Sequence, residues 1–174
     1  KCWGYNAFGQ LGDGTTTSQN IAVPVKGLTG VTMVTSGDYH ACALISPSGE
    51  VKCWGDNKFQ QVTGGSGGVV TTPTTVTWLG SNIKAVSAGN LHTCVRDSNN
   101  GTRCWGYSSG IRLDGGVESI VAGENHICIL LSNKMVKCQG DNRYGQIGDG
   151  TNNYASSEVE VKELKEVSSI AANY

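Results

Sequence analysis

Charged residues are scarce in this chain, and neither sign predominates. They make up 16% of the 174 residues, and 13 basic and 14 acidic side chains leave a net charge of −1. Proteins that bind nucleic acids or anionic membranes carry clustered Lys and Arg, which this composition does not supply. Long apolar runs are also missing, because the longest, residues 41–45 and 127–131, have only strand length. We therefore expect no nucleic-acid partner and no membrane insertion.

Sequence motifs of catalysis are absent too. The chain has no nucleophile elbow and no metalloprotease His pair, and its Gly-rich segment 64–68 lacks the Lys-Ser or Lys-Thr of a phosphate-binding loop. We therefore predict no enzymatic activity, no catalytic residue, no metal and no cofactor. The Asp-Gly pairs 13–14 and 149–150 invite a calcium interpretation, but their spacing is not that of an EF-hand. Asp-Gly is a common turn dipeptide, so turns are favoured.

Glycine, by contrast, is abundant, with 25 residues, whereas leucine occurs only nine times. Val, Ile and Thr greatly outnumber Leu, a composition that favours short β-strands joined by tight turns over helices. The composition therefore predicts an all-β fold.

Three signatures recur in fixed order along the chain. The tripeptide Cys-Trp-Gly occupies 2–4, 53–55 and 104–106, with a degenerate copy at 138–140. The pattern Gly-x-x-His-x-Cys occupies 37–42, 89–94 and 123–128. The third signature, Gly-x-Asn-x-x-Gly-Gln-Leu/Ile-Gly-Asp-Gly-Thr, fills 4–15 and 140–151 and is partly kept at 55–61. Units of about 50 residues with three or four short strands have the size of a propeller blade. A β-sandwich with chance similarity would not explain the fixed order.

The combination of these motifs resembles the repeats of the regulator of chromosome condensation family, a superfamily of seven-bladed β-propellers that also contains the bacterial secreted inhibitor of β-lactamase. The resemblance covers essentially the whole chain and implies that about seven units close a ring. This chain holds about three and a half, begins at Lys1 without an initiator Met or signal peptide, and stops in mid-unit. We therefore expect residues 1–174 to be a single segment of a larger propeller, cut in mid-repeat at both ends and forming an arc of blades.

One unit departs from the pattern. Between Cys104 and Cys138 some 17 residues are missing relative to the other units, and the Gly-Gln-Leu-Gly-Asp-Gly-Thr element is absent from 106–116. We predict that this blade is irregular and lacks its outermost strand or the loop that leads to it.

Six of the seven cysteines flank short turns, and symmetric hairpin pairing brings them face to face in three pairs. The predicted disulfides are Cys42–Cys53, Cys94–Cys104 and Cys128–Cys138, which leave Cys2 unpaired. Such bonds persist in oxidising compartments, so we expect an extracellular, cell-surface or periplasmic protein.

An alternative is zinc, because His40, Cys42 and Cys53 lie on one sheet face and offer three ligands. No fourth ligand is evident, and the recurring His is better interpreted as a packing and hydrogen-bonding residue near the blade interface. The tryptophans of the tripeptides, Trp3, Trp54 and Trp105, are predicted to fill the gaps between blades.

The two residues before each recurring His vary while the flanking Gly and His persist. These pairs are Asp38 and Tyr39, Asn90 and Leu91, Glu124 and Asn125, and Asn173 and Tyr174. Variable loop positions on a fixed scaffold are candidates for binding, so we predict that they cluster on one face; ordinary solvent-exposed turns are the alternative.

Two functions remain open. The first is a non-enzymatic, secreted or cell-surface scaffold that binds a protein, a carbohydrate or further copies of itself. The second, implied by the family's founding member, is a guanine nucleotide exchange factor-like regulator of a small GTPase. The half-cystine spacing and the lack of basic surface favour the first, and a shared fold does not transfer function.

Overall fold

The computed structural model describes residues 1–65, 67–107 and 116–172, and their regular structure is almost entirely β. The strands are β1 (Cys2–Gly4), β2 (Gln19–Val23), β3 (Val31–Ser36), β4 (His40–Ile45), β5 (Glu50–Asp56), β6 (Val69–Thr75), β7 (Ile83–Ala88), β8 (His92–Asp97), β9 (Thr102–Gly106), β10 (Val117–Ala122), β11 (His126–Leu131), β12 (Val136–Gly140) and β13 (Ala155–Glu160). One 3₁₀ turn, Thr77–Leu79, interrupts them. Within the described ranges there is no helix long and apolar enough to cross a membrane.

The strands form four antiparallel sheets in which sequence neighbours pair, as in the blades of a propeller. Blade 1 is β1-β2, blade 2 is β3-β4-β5-β6, blade 3 is β7-β8-β9 and blade 4 is β10-β11-β12-β13. The prediction of an all-β partial propeller is therefore confirmed. Blade 3 has three strands among the described residues, and the segment 108–115, which carries most of the shortened region, lies outside them.

Blades 2, 3 and 4 repeat one register in their central hairpins. His40 stands opposite Gly55 at the open end of the β4–β5 pair, and Cys42 stands opposite Cys53 one step further in. The same arrangement recurs in β8–β9 and β11–β12. Because paired positions two apart point to the same side of the sheet, the register explains why His-x-Cys and Cys-x-Gly recur together.

The glycine of the Cys-Trp-Gly tripeptide is required by backbone conformation and by space. Gly55 has φ +113°, a conformation that side chains with a Cβ rarely adopt. A Cβ at this position would lie 2.5 Å from the Cα of His40 and 2.5 Å from the carbonyl oxygen of Tyr39. Any larger residue would therefore push the hairpin apart at its open end.

The hydrophobic core lies between neighbouring blades rather than inside one sheet. Residues of blades 2 and 3 form one buried cluster that includes Val51, Ile83, Val95 and Trp105. A second cluster joins blades 3 and 4 through side chains such as Ile120 and Ile129 of blade 4. Full burial of each Val or Ile contributes about 1.5–3 kcal/mol, so the stability of every blade depends on its neighbours.

Two of the three repeat tryptophans fill these gaps as predicted. Trp54 and Trp105 are buried, and the indole Nε1 of Trp54 donates a 2.8 Å hydrogen bond to the carbonyl oxygen of Gln10 in the loop of blade 1. The prediction is wrong for Trp3, which is 67% exposed because no described loop of another unit packs on it. The equivalent position of blade 4 is Gln139, so this blade carries no tryptophan there.

Three glycines bring the blades together at their inner ends. A Cβ at Gly37 would collide with the carbonyl oxygen of Gly89, and one at Gly89 would collide with that of Gly123. The backbones of blades 2, 3 and 4 thus touch in sequence around the inner edge of the arc, which explains the Gly that begins each Gly-x-x-His-x-Cys pattern.

Candidate functional site

The loops that follow the Cys-Trp-Gly strands are organised by buried asparagines. The side chain of Asn6 is fully buried; its Oδ1 accepts a 2.9 Å hydrogen bond from the Leu11 N–H, and its Nδ2 donates to the carbonyl oxygens of Thr15 and Thr17 at 3.1 Å. Asn142 repeats the pattern in blade 4, accepting from the Ile147 N–H at 3.0 Å. One amide therefore holds both arms of each loop, which gives the loop a defined shape on the blade.

The Asp-Gly pairs at the ends of these loops are turn residues. The Oδ1 of Asp149 accepts hydrogen bonds from the Thr151 N–H at 2.8 Å and from its hydroxyl at 2.9 Å. The backbone hydrogen bond from Thr151 is the largest influence that lowers the pKa of Asp149. Across the described part of the chain, no cluster of three or more His, Cys, Asp and Glu side chains could hold a metal ion. The turn interpretation accounts for the carboxylate without a cation.

Three disulfides fasten the central hairpins of blades 2, 3 and 4. They join Cys42 to Cys53, Cys94 to Cys104 and Cys128 to Cys138, which are the predicted pairs, and Cys2 is free. The zinc alternative is wrong, because Cys42 and Cys53 are joined to each other and cannot act as thiolate ligands.

The three recurring histidines are buried, and His40 lies between blades 2 and 3. The Nε2 of His40 lies 2.8 Å from the hydroxyl of Thr93 in blade 3, and that hydroxyl donates a 2.7 Å hydrogen bond to the carbonyl oxygen of Gln61. Since the hydroxyl has only one hydrogen, His40 must donate from Nε2. Burial, followed by the influence of His92, lowers the pKa of His40 to about 3. The ring is neutral at physiological pH and serves as a link between blades.

The first residues of the predicted binding pairs meet at the inner edge of the arc. Asp38, Asn90 and Glu124 line one small cavity of about 60 Å³, together with Ala172 of the C-terminal segment. All three predicted residues are partly buried. The structure thus brings together one residue from each of blades 2, 3 and 4.

The second residues of the three described pairs, Tyr39, Leu91 and Asn125, lie on the same end of the blades. Tyr39 is 38% exposed and packs edge-on against Phe8, with 5.2 Å between ring centroids. Leu91 and Asn125 line a wider groove of about 610 Å³. Asn173 and Tyr174 lie outside the described residues. That these positions bind a partner stays a prediction.

A set of aromatic side chains on this end was missed by the sequence interpretation except for Tyr39, which was among the predicted binding residues. The aromatic arc, as we call it, consists of Tyr5, Phe8, Tyr39, Phe59, Tyr107, Tyr144 and Tyr154. Tyr107 is 67% exposed and Tyr144 86% exposed. A signal exists in the sequence, because an aromatic residue follows each loop asparagine by two positions in Asn6-Ala7-Phe8, Asn57-Lys58-Phe59 and Asn142-Arg143-Tyr144.

The fold and these loops define a β-propeller built from disulfide-pinned blades. Two sequence models of the regulator of chromosome condensation (RCC1) repeat match the chain, one over residues 2–44 and the other over 31–61, 83–109 and 117–146. The chain belongs to the RCC1 repeat family.

Known relatives agree with this assignment. The ultraviolet-B receptor UVR8 of Arabidopsis thaliana is 32% identical over 108 residues, which cover 60% of this chain and 24% of UVR8. Human WBSCR16 matches with a TM-score of 0.79 at 20% identity, covering 98% of this chain and 50% of that one. Yeast RCC1 (Prp20) in complex with Kap60 matches with a TM-score of 0.76 at 19% identity, with coverages of 92% and 44%.

A further match comes from the ectodomain of the receptor kinase CR4 of Physcomitrella patens. Its TM-score is 0.55 at 26% identity, and the alignment covers 82% of this chain and 36% of the ectodomain. The chain therefore spans half or less of the length of these relatives.

Proposed function

We propose that this chain is part of a secreted or cell-surface propeller whose loop end, carrying the aromatic arc, binds another protein. An RCC1-type propeller supports a protein-binding module, and Prp20 is known in complex with the protein Kap60. The single observation that carries the proposal is the aromatic arc, whose five tyrosines are exposed and whose loops buried asparagines hold in place.

The chemistry of the arc suits a protein interface. Tyr side chains combine a large apolar surface with a hydrogen-bonding hydroxyl and are enriched at interface positions that dominate affinity. Tyr39 and Phe8 support each other, as do Phe59 and Tyr107, whose centroids are 5.5 Å apart. Because the rings are already ordered by these contacts, binding would cost less conformational entropy than it would on a mobile loop.

The disulfides support an oxidising compartment. Three hairpin disulfides are difficult to maintain in a reducing cytosol. The CR4 ectodomain, which is 26% identical over the matched region, belongs to the outer part of a receptor kinase. The alternative, an exchange-factor-like regulator of a small GTPase, depends on the family's founding member, and the likeness to Prp20 at 19% identity speaks for the fold alone.

The role of the chain as a segment of a larger ring is part of the same proposal. Blade 1 has two strands, and its Cys2 stands at the position that is disulfide-bonded in the other blades. Relatives about twice as long or longer would accommodate further blades.

The test combines a photo-crosslinker with a double substitution. A crosslinking amino acid at Tyr39 should capture a discrete partner from the surface of the native cells, whereas the same group at Asn133, on the hairpin at the opposite end of blade 4, should not. Tyr39→Ala with Leu91→Ala should weaken binding of that partner by about 1–4 kcal/mol with little change in thermal stability.

Two outcomes would contradict the proposal. Capture at Asn133 but not at Tyr39 would move the interface to the opposite end of the blades. Free thiols at all six hairpin cysteines, in protein alkylated at the moment of cell lysis, would remove the argument for an oxidising compartment.

A further inference from the structure

A groove with mainly apolar walls lies between blades 1 and 2. It encloses about 570 Å³, and its walls include Cys2 of β1 and Val34 of β3. Val34 is 68% exposed, whereas Val86 and Ile120, which hold the same position in the first strands of blades 3 and 4, are each 5% exposed. The first strand of a blade is therefore covered by another element at two junctions and left open, among the described residues, at this one.

The other two junctions show which element covers this position. Strand β7 contacts β3, β4 and β5 of the blade before it, and Val86 shares one buried cluster with both half-cystines of blade 2. Strand β10 contacts β7 and β8, and Ile120 shares a cluster with both half-cystines of blade 3. Each first strand thus packs on the disulfide-linked hairpin of the preceding blade. Blade 1 has only β1 and β2 among the described strands, which correspond to the third and fourth strands of blade 2.

Strand β1 retains the features of a strand that has a partner on its open edge. Cys2 corresponds to the half-cystine Cys53 and is free. Gly4 has φ +108°, close to the +113° of Gly55, yet a Cβ at Gly4 would meet no described atom within 4 Å. At Gly55 the same Cβ would lie 2.5 Å from the Cα of His40. The conformation of Gly4 therefore suits a neighbouring strand that places a His opposite it and a Cys opposite Cys2.

Hydrogen bonds between first strands specify a further residue of that neighbour. The hydroxyl of Thr35 accepts a 3.1 Å hydrogen bond from the Ala88 N–H of the next blade, and the hydroxyl of Ser87 accepts one of 2.9 Å from the Ala122 N–H. The position of blade 2 that corresponds to Ala88 is Ser36, which lines the groove. An element that covers β3 in the same way therefore carries a Ser or Thr whose hydroxyl accepts from the Ser36 N–H.

We propose that this groove takes a β-hairpin from another part of the same propeller, whose second strand pairs with β1 and is joined to Cys2 by a disulfide. The hairpin carries the pattern Ser/Thr-x-Gly-x-x-His-x-Cys of blades 2 and 3, with its His opposite Gly4. Strand addition to an open sheet edge supplies the backbone hydrogen bonds.

A second copy of this chain does not supply the hairpin. Its three strands with the pattern Gly-x-x-His-x-Cys are each paired with a third strand inside their own blades. The inference rests on the proposed membership of this chain in a larger ring, and it specifies the strand pair through which the ring is joined at β1.

The test uses the full chain and a synthetic peptide of residues 83–97, which is the first hairpin of blade 3 and carries the whole pattern. In a glutathione redox buffer, the Cys2 thiol and the peptide thiol together lose two electrons and two protons, and one oxidised glutathione is reduced to two glutathione thiols. The disulfide adduct is located at Cys2 by peptide mapping. Its yield should be about tenfold higher than with a control peptide in which Thr93 and Cys94 are exchanged, because the exchange turns the thiol to the other face of the strand.

Two variants of the full chain separate docking in the groove from simple thiol exchange. Val34→Lys should lower the yield of the adduct about tenfold, because it places a charge in the apolar groove. Ile21→Lys is the matched control, since Ile21 is 69% exposed on β2 but does not line the groove, and it should leave the yield unchanged. Both side chains are exposed, so neither substitution should lower the urea midpoint.

The inference is overturned if the two peptides form equal amounts of adduct or none, or if Val34→Lys and Ile21→Lys change the yield alike. It is also overturned if the chain alone forms a Cys2–Cys2 dimer in the same buffer, because the groove would then belong to an interface between copies. Capture of a partner at Tyr39 with failure of the peptide would refute this inference alone, whereas failure of both would refute the proposed function as well.

Discussion

Replacement of the glycine of the Cys-Trp-Gly tripeptide by alanine should separate two costs of a side chain at this position: the steric clash of the Cβ and the strain of the backbone conformation. Gly4 and Gly55 occupy the same position in successive units and have nearly the same backbone, with φ of +108° and +113°. Their surroundings differ: a Cβ at Gly55 would lie 2.5 Å from the Cα of His40, and a Cβ at Gly4 would have no described atom within 4 Å. The chain thus contains its own matched control.

The expected magnitudes follow from these two contributions. Alanine at such a φ costs about 1–3 kcal/mol in backbone strain, and both variants carry this cost. Gly55→Ala must in addition displace the backbone of β4, and forced overpacking typically adds about 1–3 kcal/mol. The free energy of unfolding should therefore fall by roughly 2 kcal/mol more for Gly55→Ala than for Gly4→Ala.

Urea denaturation followed by tryptophan fluorescence measures both variants under two-state analysis, with the slope checked against the parent chain. A domain of ordinary stability, about 5–15 kcal/mol, should survive either change. If Gly55→Ala does not fold while Gly4→Ala does, the ranking is still as expected. Equal destabilisation of the two variants would refute the reasoning, because it would show that the close contact with the His40 backbone does not affect the free energy of unfolding.

Three further predictions concern the contacts between and within blades. In the folded chain the pKa values of His40 and His92 are lowered to about 3 and about 4 from 6.5, so below pH 6.5 the unfolded chain binds protons that the folded chain does not. The free energy of unfolding should therefore decrease as the pH is lowered from 6.5 to 4, by about 1.4 kcal/mol per pH unit for each histidine. A constant urea midpoint across this pH range would contradict the assignment. Thr93→Val removes the hydroxyl between His40 and the Gln61 carbonyl and should lower the free energy of unfolding, measured in urea, by about 1–3 kcal/mol. Thr29→Val, at an exposed position, is the control, and an equal decrease in its free energy of unfolding would contradict a specific link between the blades. Replacing both Cys128 and Cys138 by Ser should lower the free energy of unfolding by about 2–3 kcal/mol, given the sequence separation of 10, and an unchanged midpoint would show that this crosslink adds no stability.

Much of the fold could be predicted because short-range constraints determine it. The disulfide partners Cys42 and Cys53 flank one short turn, so hairpin pairing alone brings them together. The burial of Trp54 depends instead on a loop of another unit, which contacts it at Gln10, whereas no described loop of another unit packs on Trp3, for which the prediction was wrong. Repetition in the sequence identifies equivalent positions but does not reveal whether each one has a neighbour.

The candidate site was harder to anticipate. The placement of the Phe8 and Tyr144 rings depends on how their loops are folded. That conformation comes from the amides of Asn6 and Asn142, which bond to backbone groups up to eleven residues away. Such bonds have no periodicity that a sequence pattern could display. The varying pairs before each histidine were visible, but the rings beside them belong to loops from the neighbouring unit.

The contact between Trp54 and the preceding loop at Gln10 has an evolutionary consequence. A gene duplication that copied a blade from its first strand to its last would separate each tryptophan from the loop that covers it. The unit that must be duplicated as a whole is therefore offset from the structural blade. It begins at the loop of one blade and ends in the sheet of the next, so that the loop and the tryptophan it contacts stay together. Loss of the loop element before blade 4, together with Gln139 at the tryptophan position, fits such paired change. Variants with more or fewer blades should therefore have their unit boundaries within a sheet, so that each loop is inserted or deleted together with the tryptophan that it contacts.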